Sequence, residues 1–319
     1  MIEVRQLVKR YGARIAVDGL DFTVKPGAVT GFLGPNGAGK STTMRMIVGL
    51  DAPTSGTVTV NGRRYAEHRA PLQEVGTLLE AKSVHPGRTA YGHLRALALT
   101  HGIPRRRVEE VIELAGLTSV ARKRAGSFSL GMSQRLGVAA ALLGDPETIM
   151  LDEPVNGLDP EGVRWIRHLL TGLAAQGRTV LVSSHLMAEV ALTASQLVVI
   201  GRGRLLADTT VEGFIAESGR GTVTVACSEP ARLRAAIAGP EVTVTGEPGA
   251  EELTVAGRTA REIGQTAADL GIAVYALVPQ AASLEEAFMA LTGESVEYHS
   301  DPGAPHTAGS PAHPARSPV

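Results

Sequence analysis

The chain has 319 residues, 44% of them hydrophobic, and a formal net charge of −1. That is enough for one large domain with a substantial core plus a smaller one, and the near-neutral balance predicts no attraction to nucleic acid. Cys227 is the single cysteine, so an internal disulfide is excluded and a reducing cytosol fits. No apolar run reaches the ~18 residues of a membrane span. Residues 1–5 alternate like a strand and lack the apolar stretch of a signal peptide, so a soluble chain is expected. Arginine far outnumbers lysine, which suggests a GC-rich bacterial genome.

Residues 1–30 alternate apolar and polar, and the pairs Asp18-Gly19 and Pro26-Gly27 predict turns between antiparallel strands. Residues 29–33 read as a short buried strand, and 40–48 as a helix stopped by Gly49. Between them, Gly34-Pro35-Asn36-Gly37-Ala38-Gly39-Lys40-Ser41-Thr42 fills every position of the G-x-x-x-x-G-K-[ST] phosphate loop. Glycines let such a backbone turn tightly and aim its N–H groups inward, where the start of a helix already favours an anion. Lys40 can then reach the β- and γ-phosphates, and the Ser41 hydroxyl can hold Mg²⁺.

Residues 57–60 read as an edge strand between Ser55-Gly56 and Asn61-Gly62. Residues 88–143 change to helical spacing over 89–99, 105–115 and 133–143, a helical insertion. Strand signals return at 148–151, 179–183 and 197–200. Strands alternating with helices after a phosphate loop predict a parallel sheet covered on both faces. The strand at 148–151 runs into Asp152-Glu153. An acid at this place beside a phosphate loop can hold Mg²⁺ through water, and the next acid can polarise the attacking water. Asp152 takes the metal role and Glu153 the base role.

From about residue 222 the pattern resets to strand 222–227, helix 230–238, strands 242–246 and 252–256, helix 259–270 and strand 273–278. This β-α-β-β-α-β order predicts a small ferredoxin-like α+β unit, closed by an amphipathic helix at 283–291. Cys227 is expected as a small core residue. The stretch 294–319, rich in Pro, Ala, Ser and His, is expected to be a disordered tail, and His299, His306 and His313 lack ligand-like spacing. The expected divisions are therefore 1–218 for the nucleotide-binding domain, with its helical part near 88–143, then 219–293 and 294–319.

Phe128-Ser129-Leu130-Gly131-Met132-Ser133-Gln134-Arg135 opens a helix ahead of Asp152 and resembles the signature motif of ATP-binding cassette (ABC) ATPases. The resemblance covers residues 1 to about 215. It implies an α/β P-loop cassette with a parallel core sheet, an antiparallel β-subdomain and a helical subdomain. It also implies that Tyr11 stacks on adenine and that Asn156-Gly157-Leu158-Asp159 lines a subunit interface. His185 matches the switch histidine that contacts the γ-phosphate and the catalytic glutamate. Ser129 and the Gly131 N–H would donate to a γ-phosphate held by the opposite subunit. Two positions depart from the common pattern. Glu80 stands where a metal-contacting glutamine is expected, and Leu130-Gly131-Met132 replaces Gly-Gly-Gln.

The family implies ATP and Mg²⁺, a homodimer or paired homologue, and integral-membrane permease subunits at the cytoplasmic face of a bacterial membrane. The variant signature, Glu80 and the appended domain look like exporters of the bacitracin and anthracycline type. Residues near 85–97 would receive the permease. The basic runs 105–107 and 122–124 are expected as solvated faces, with lipid headgroups or permease as the other reading. A soluble cassette ATPase acting on ribosomes or nucleic acid is the alternative function.

Overall fold

The computed structural model describes residues 1–292 except 81–82, 218–220, 241, 247–249, 251 and 281–282. The expected tail, its three histidines and the boundary at 218 lie outside the described residues.

Strands Ile2–Tyr11 (β1) and Arg14–Val24 (β2) form a hairpin, followed by Val29–Leu33 (β3), helix Lys40–Ile47 (α1) and strand Ser55–Val60 (β4). β1 lies between β2 and β4 in an antiparallel sheet. The hairpin turns at Gly12-Ala13, where Gly12 adopts φ +59°. Asp18-Gly19 is not the expected turn. It lies within β2 where the register with β1 slips, and Gly19 at φ +69° supplies the bulge.

Next come the short helix Pro71–Glu74 (α2) and strand Val75–Leu78 (β5). Helices Ala90–Thr100 (α3), Arg105–Leu114 (α4) and Leu130–Ala141 (α5) follow. The cassette continues through Thr148–Asp152 (β6), Pro160–Ala175 (α6), Thr179–Ser183 (β7), Met187–Thr193 (α7), Gln196–Gly201 (β8), Arg204–Thr210 (β9) and Val211–Glu217 (α8). The main sheet runs β5-β6-β7-β3-β8-β9. Its first five strands pair in parallel as expected, while β9 joins antiparallel at the edge. β3 and β7 are buried at every residue, as strands covered on both faces are, with Thr30, Thr179 and Ser183 as their buried polar members.

The helical insertion is seated on the sheet by α5. A Cβ at Gly76 would collide with the Ala141 carbonyl oxygen, and one at Gly137 would come within 2.5 Å of Leu78. Only glycine lets this helix lie so close to β5. Arg135 stacks over Trp165 at 4.5 Å and bonds the Ala115 carbonyl at 3.1 Å, tying α5 to α6 and the end of α4. The basic run on α4 pairs with its own helix, Arg105 to Glu109 at 3.0 Å and Arg106 to Glu110 at 2.9 Å. Arg107 donates to the Leu142 carbonyl at 2.8 Å, satisfying a group at the end of α5.

The last elements are Thr222–Cys227 (β10), Pro230–Ile237 (α9), Thr243–Thr245 (β11), Glu252–Ala256 (β12), Ala260–Asp269 (α10), Val274–Gln280 (β13) and Leu284–Thr292 (α11). Strand order β11-β12-β10-β13, all antiparallel, is the ferredoxin-like arrangement. Cys227 is buried in its core with Leu233, Val255 and Ile263. α11 departs from its expected place as part of this unit. Leu284, Ala287 and Phe288 are buried against Met187, Val190, Val211 and Phe214, on helices α7 and α8 of the cassette.

Candidate active site

The phosphate loop leaves β3 at its buried end and enters α1. Gly37 and Gly39 hold φ of +82° and +103°, and a Cβ on Gly39 would lie 2.6 Å from the Ala16 carbonyl oxygen. A side chain at Gly39 is therefore opposed by backbone conformation and by space at once. α1 begins at Lys40, whose ammonium is folded back onto the loop, donating to the Gly34 carbonyl at 2.5 Å and the Pro35 carbonyl at 3.3 Å. Burial pulls the Lys40 pKa down, and the nearby Glu153 and Asp152 carboxylates oppose that shift.

Tyr11, Arg14 and Ala16 from the hairpin, Pro35 to Thr42 from the loop, and Asp152 and Glu153 from the end of β6 line one cleft of about 560 Å³. That volume falls in the range of small-molecule sites. Tyr11 is half-exposed at its mouth, and its hydroxyl donates to Asp51 at 3.1 Å. Arg14 and Ala16 were not foreseen, because strand alternation gives no sign of which hairpin residues face a cleft formed by a distant loop.

Asp152 sits where β6 ends. Its carboxylate accepts from Ser41 Oγ at 2.8 Å and from the buried Ser183 hydroxyl at the end of β7. Ser41 and Asp152 form an oxygen-only donor set facing the phosphate loop, which suits a hard cation such as Mg²⁺. Among the described residues no group of three or more His, Cys, Asp or Glu side chains could form a metal cage. A cation held by one carboxylate, a hydroxyl, water and substrate phosphates fits that chemistry.

Glu153 adopts φ +50°, a left-handed conformation uncommon for any residue with a Cβ. Its N–H donates to the Ser183 carbonyl at 3.2 Å and the Ser183 hydroxyl at 3.0 Å. Its carbonyl accepts from Gln134 Nε2 at 2.9 Å. Its carboxylate lies 2.7 Å from His185 Nδ1, and the His185 N–H approaches the same oxygen at 3.4 Å. Glu153 and His185 therefore meet as expected. A carboxylate so oriented can accept a proton from water at the phosphate end of the cleft.

Three expected site residues do not join this group. Ser129 caps α5 by accepting from the Met132 N–H at 3.2 Å, and it is exposed. Gly131 faces the Gly157 carbonyl, so both signature positions lie off the cleft formed by their own chain. Glu80 is exposed just beyond β5 and is absent from the cleft lining. Gln134, missed as a site residue, is buried at 3% exposure. A buried glutamine on an otherwise apolar helix face was the available signal.

A family model described as "ABC transporter" matches residues 17–156, and a domain family of unknown function matches 221–285. The bacitracin transport ATP-binding protein BcrA of Bacillus licheniformis is 41% identical over 209 residues, 65% of this chain and 68% of that protein. The Nod factor export ATP-binding protein I of Burkholderia pseudomallei is 33% identical over 313 residues, 92% of this chain and 98% of it. Among solved structures, an ATP-binding subunit of an ABC transporter aligns at TM-score 0.63 and 28% identity, covering 69% of this chain and 93% of that one.

Proposed function

Since the chain belongs to the ABC transporter family of ATP-binding proteins, an ATPase class that powers membrane transport, we propose that it serves a bacterial exporter of a drug, antibiotic or peptide. It would work from the cytoplasmic face of the membrane against separately encoded permease subunits, as a homodimer or beside a paired cassette. The likeness to transport ATPases favours this over action on ribosomes or nucleic acid. No helix among the described residues is long and apolar enough to cross a membrane, so the route for cargo would be supplied by those partners. Residues near 85–97, leading into α3, are the proposed permease contact.

The reading of the site rests above all on the pairing of Glu153 with His185 beside Ser41 and Asp152. In it, the loop 34–42 wraps the phosphates with its N–H groups, and Lys40 turns from its own loop carbonyls to the β- and γ-phosphates. Tyr11 offers its ring to adenine. Ser41 and Asp152 would hold Mg²⁺, which would supply neutralising charge to the phosphates. Glu153 takes the proton of the attacking water while His185 orients it and senses the γ-phosphate. Glu80, exposed just beyond β5, would be a further ligand of that metal. Ser129 and the Gly131 N–H, turned away from their own cleft, cap the γ-phosphate of the opposing subunit. Removing one such contact is expected to cost about 10²–10³ in turnover.

Glu153→Gln keeps the shape and removes the base, so it is expected to bind ATP, stop hydrolysing and elute from gel filtration at doubled mass when ATP is present. A variant that stays monomeric with ATP, or that hydrolyses at the wild-type rate, overturns Glu153 as the base. Recovery of the chain from detergent-solubilised membranes with a permease supports the exporter. Recovery with ribosomes and no membrane protein refutes it.

A further inference from the structure

We propose that Gln134 is a positioning residue for the base, so that the helix offered to the other subunit's nucleotide also sets the geometry of its own subunit's Glu153. The proposal rests on Glu153 acting as base and on the start of α5 facing a second subunit. Gln134 lies one turn beyond Gly131 on α5, is 3% exposed, and donates from Nε2 to the Glu153 carbonyl at 2.9 Å. Glu153 is one of few non-glycine residues held at positive φ. Such a conformation persists only where its surroundings over-determine it.

Here both flanking peptide groups are held. β7 takes the N–H through the Ser183 carbonyl and hydroxyl, and α5 takes the carbonyl through Gln134. Releasing the carbonyl would let φ relax towards negative values and swing the Cα–Cβ bond. The carboxylate would then leave its place 2.7 Å from His185 Nδ1. The same helix also touches the loop beyond the base. Leu130 would block any side chain at Gly157, and Gly131 faces the Gly157 carbonyl. Any movement of α5 is therefore delivered to residues 153 and 157 together. A helix that shifts when it caps one nucleotide would in this way align or misalign the base at the other site, a coupling carried by direct contact.

The test uses the full-length chain. Gln134→Met keeps the length and flexibility of the side chain and removes its donor. Misplacing a catalytic group by about 1 Å costs on the order of 10²-fold, so kcat is expected to fall by about that factor. The KM for ATP and the affinity for a fluorescent ATP analogue should stay within about two-fold of wild type, as they would for a loss confined to the transition state. Gln134→Asn, which draws the amide back by one methylene, should show the same split and guards against a folding defect peculiar to Met. In a Glu153→Gln background, Gln134→Met should lower residual hydrolysis no further, because it acts through that side chain. Unchanged kcat in both single variants, losses in nucleotide affinity that match the loss in rate, or losses that multiply with Glu153→Gln would each overturn the proposal. If Glu153→Gln alone hydrolyses at the wild-type rate, the assignment of the base fails instead, and the two failures are distinguishable.

Discussion

Phe288→Ala tests how α11 is held to the cassette. α11 has nine residues and buries only Leu284, Ala287, Phe288 and Thr292. A helix this short is unstable by itself, so its order depends on the apolar surface of α7 and α8. Burying one large apolar side chain is worth about 1.5–3 kcal/mol, so Leu284 and Phe288 together supply roughly 3–6 kcal/mol. Phe→Ala in a core that cannot move costs about 3–5 kcal/mol. α11 can instead detach, and the cost then stops at its docking energy. Loss of about 1.5–3 kcal/mol shifts the docking equilibrium by roughly 10- to 150-fold. Hydrogen exchange read by mass spectrometry should show protection of 284–292 falling by at least ten-fold or so, with a smaller fall in α7, whose Met187 and Val190 lose their cover. Unchanged protection in both helices would refute the view that Phe288 holds α11 in place.

Two further outcomes follow from the geometry. Gly39→Ala, with φ +103° and a carbonyl oxygen 2.6 Å from the new Cβ, should disrupt the phosphate loop, and retained ATP affinity in equilibrium binding would contradict this. His93 has a buried, unpaired Nδ1, and burial followed by the Arg88 charge holds its pKa below the ordinary value of 6.5. The unfolded chain therefore takes up this proton first as pH falls, so stability should decline below about pH 6.5. The denaturant midpoint of wild type should drop more between pH 7 and 5, rough bounds set by that window, than that of His93→Leu. Parallel pH profiles for the two proteins would count against it.

The phosphate loop was legible because chemistry dictates its residues one by one, and glycines at positive φ admit few substitutes. The β-α-β-β-α-β unit was legible because Val223, Val225 and Cys227, then Leu253 and Val255, alternate cleanly with less buried neighbours. The true hairpin turn at Gly12-Ala13 was not, since Asp18-Gly19 carries the same local signal and only cross-strand pairing separates turn from bulge. β5 and β9 were passed over, the first for its brevity and the second for its mixed composition at a sheet edge. α11 read correctly as amphipathic, but an apolar face does not say which surface covers it. Gln134 and Ser183 owe their importance to a backbone conformation at Glu153 that no residue pattern announces.

The docking of α11 also bears on the order in which the protein can be made. Chains leave the ribosome at ~5–20 residues per second and fold from the N-terminus onward. The cassette is complete in sequence by α8, yet Met187, Val190, Val211 and Phe214 wait for Leu284 and Phe288. Between those points the whole ferredoxin-like unit, β10 to β13, has to be synthesised. For several seconds at that pace the nascent cassette presents an uncovered apolar surface close in sequence to His185. A stop codon placed before residue 284 would make that interval permanent, so a C-terminally shortened chain should need chaperones or aggregate even though its nucleotide cleft is intact.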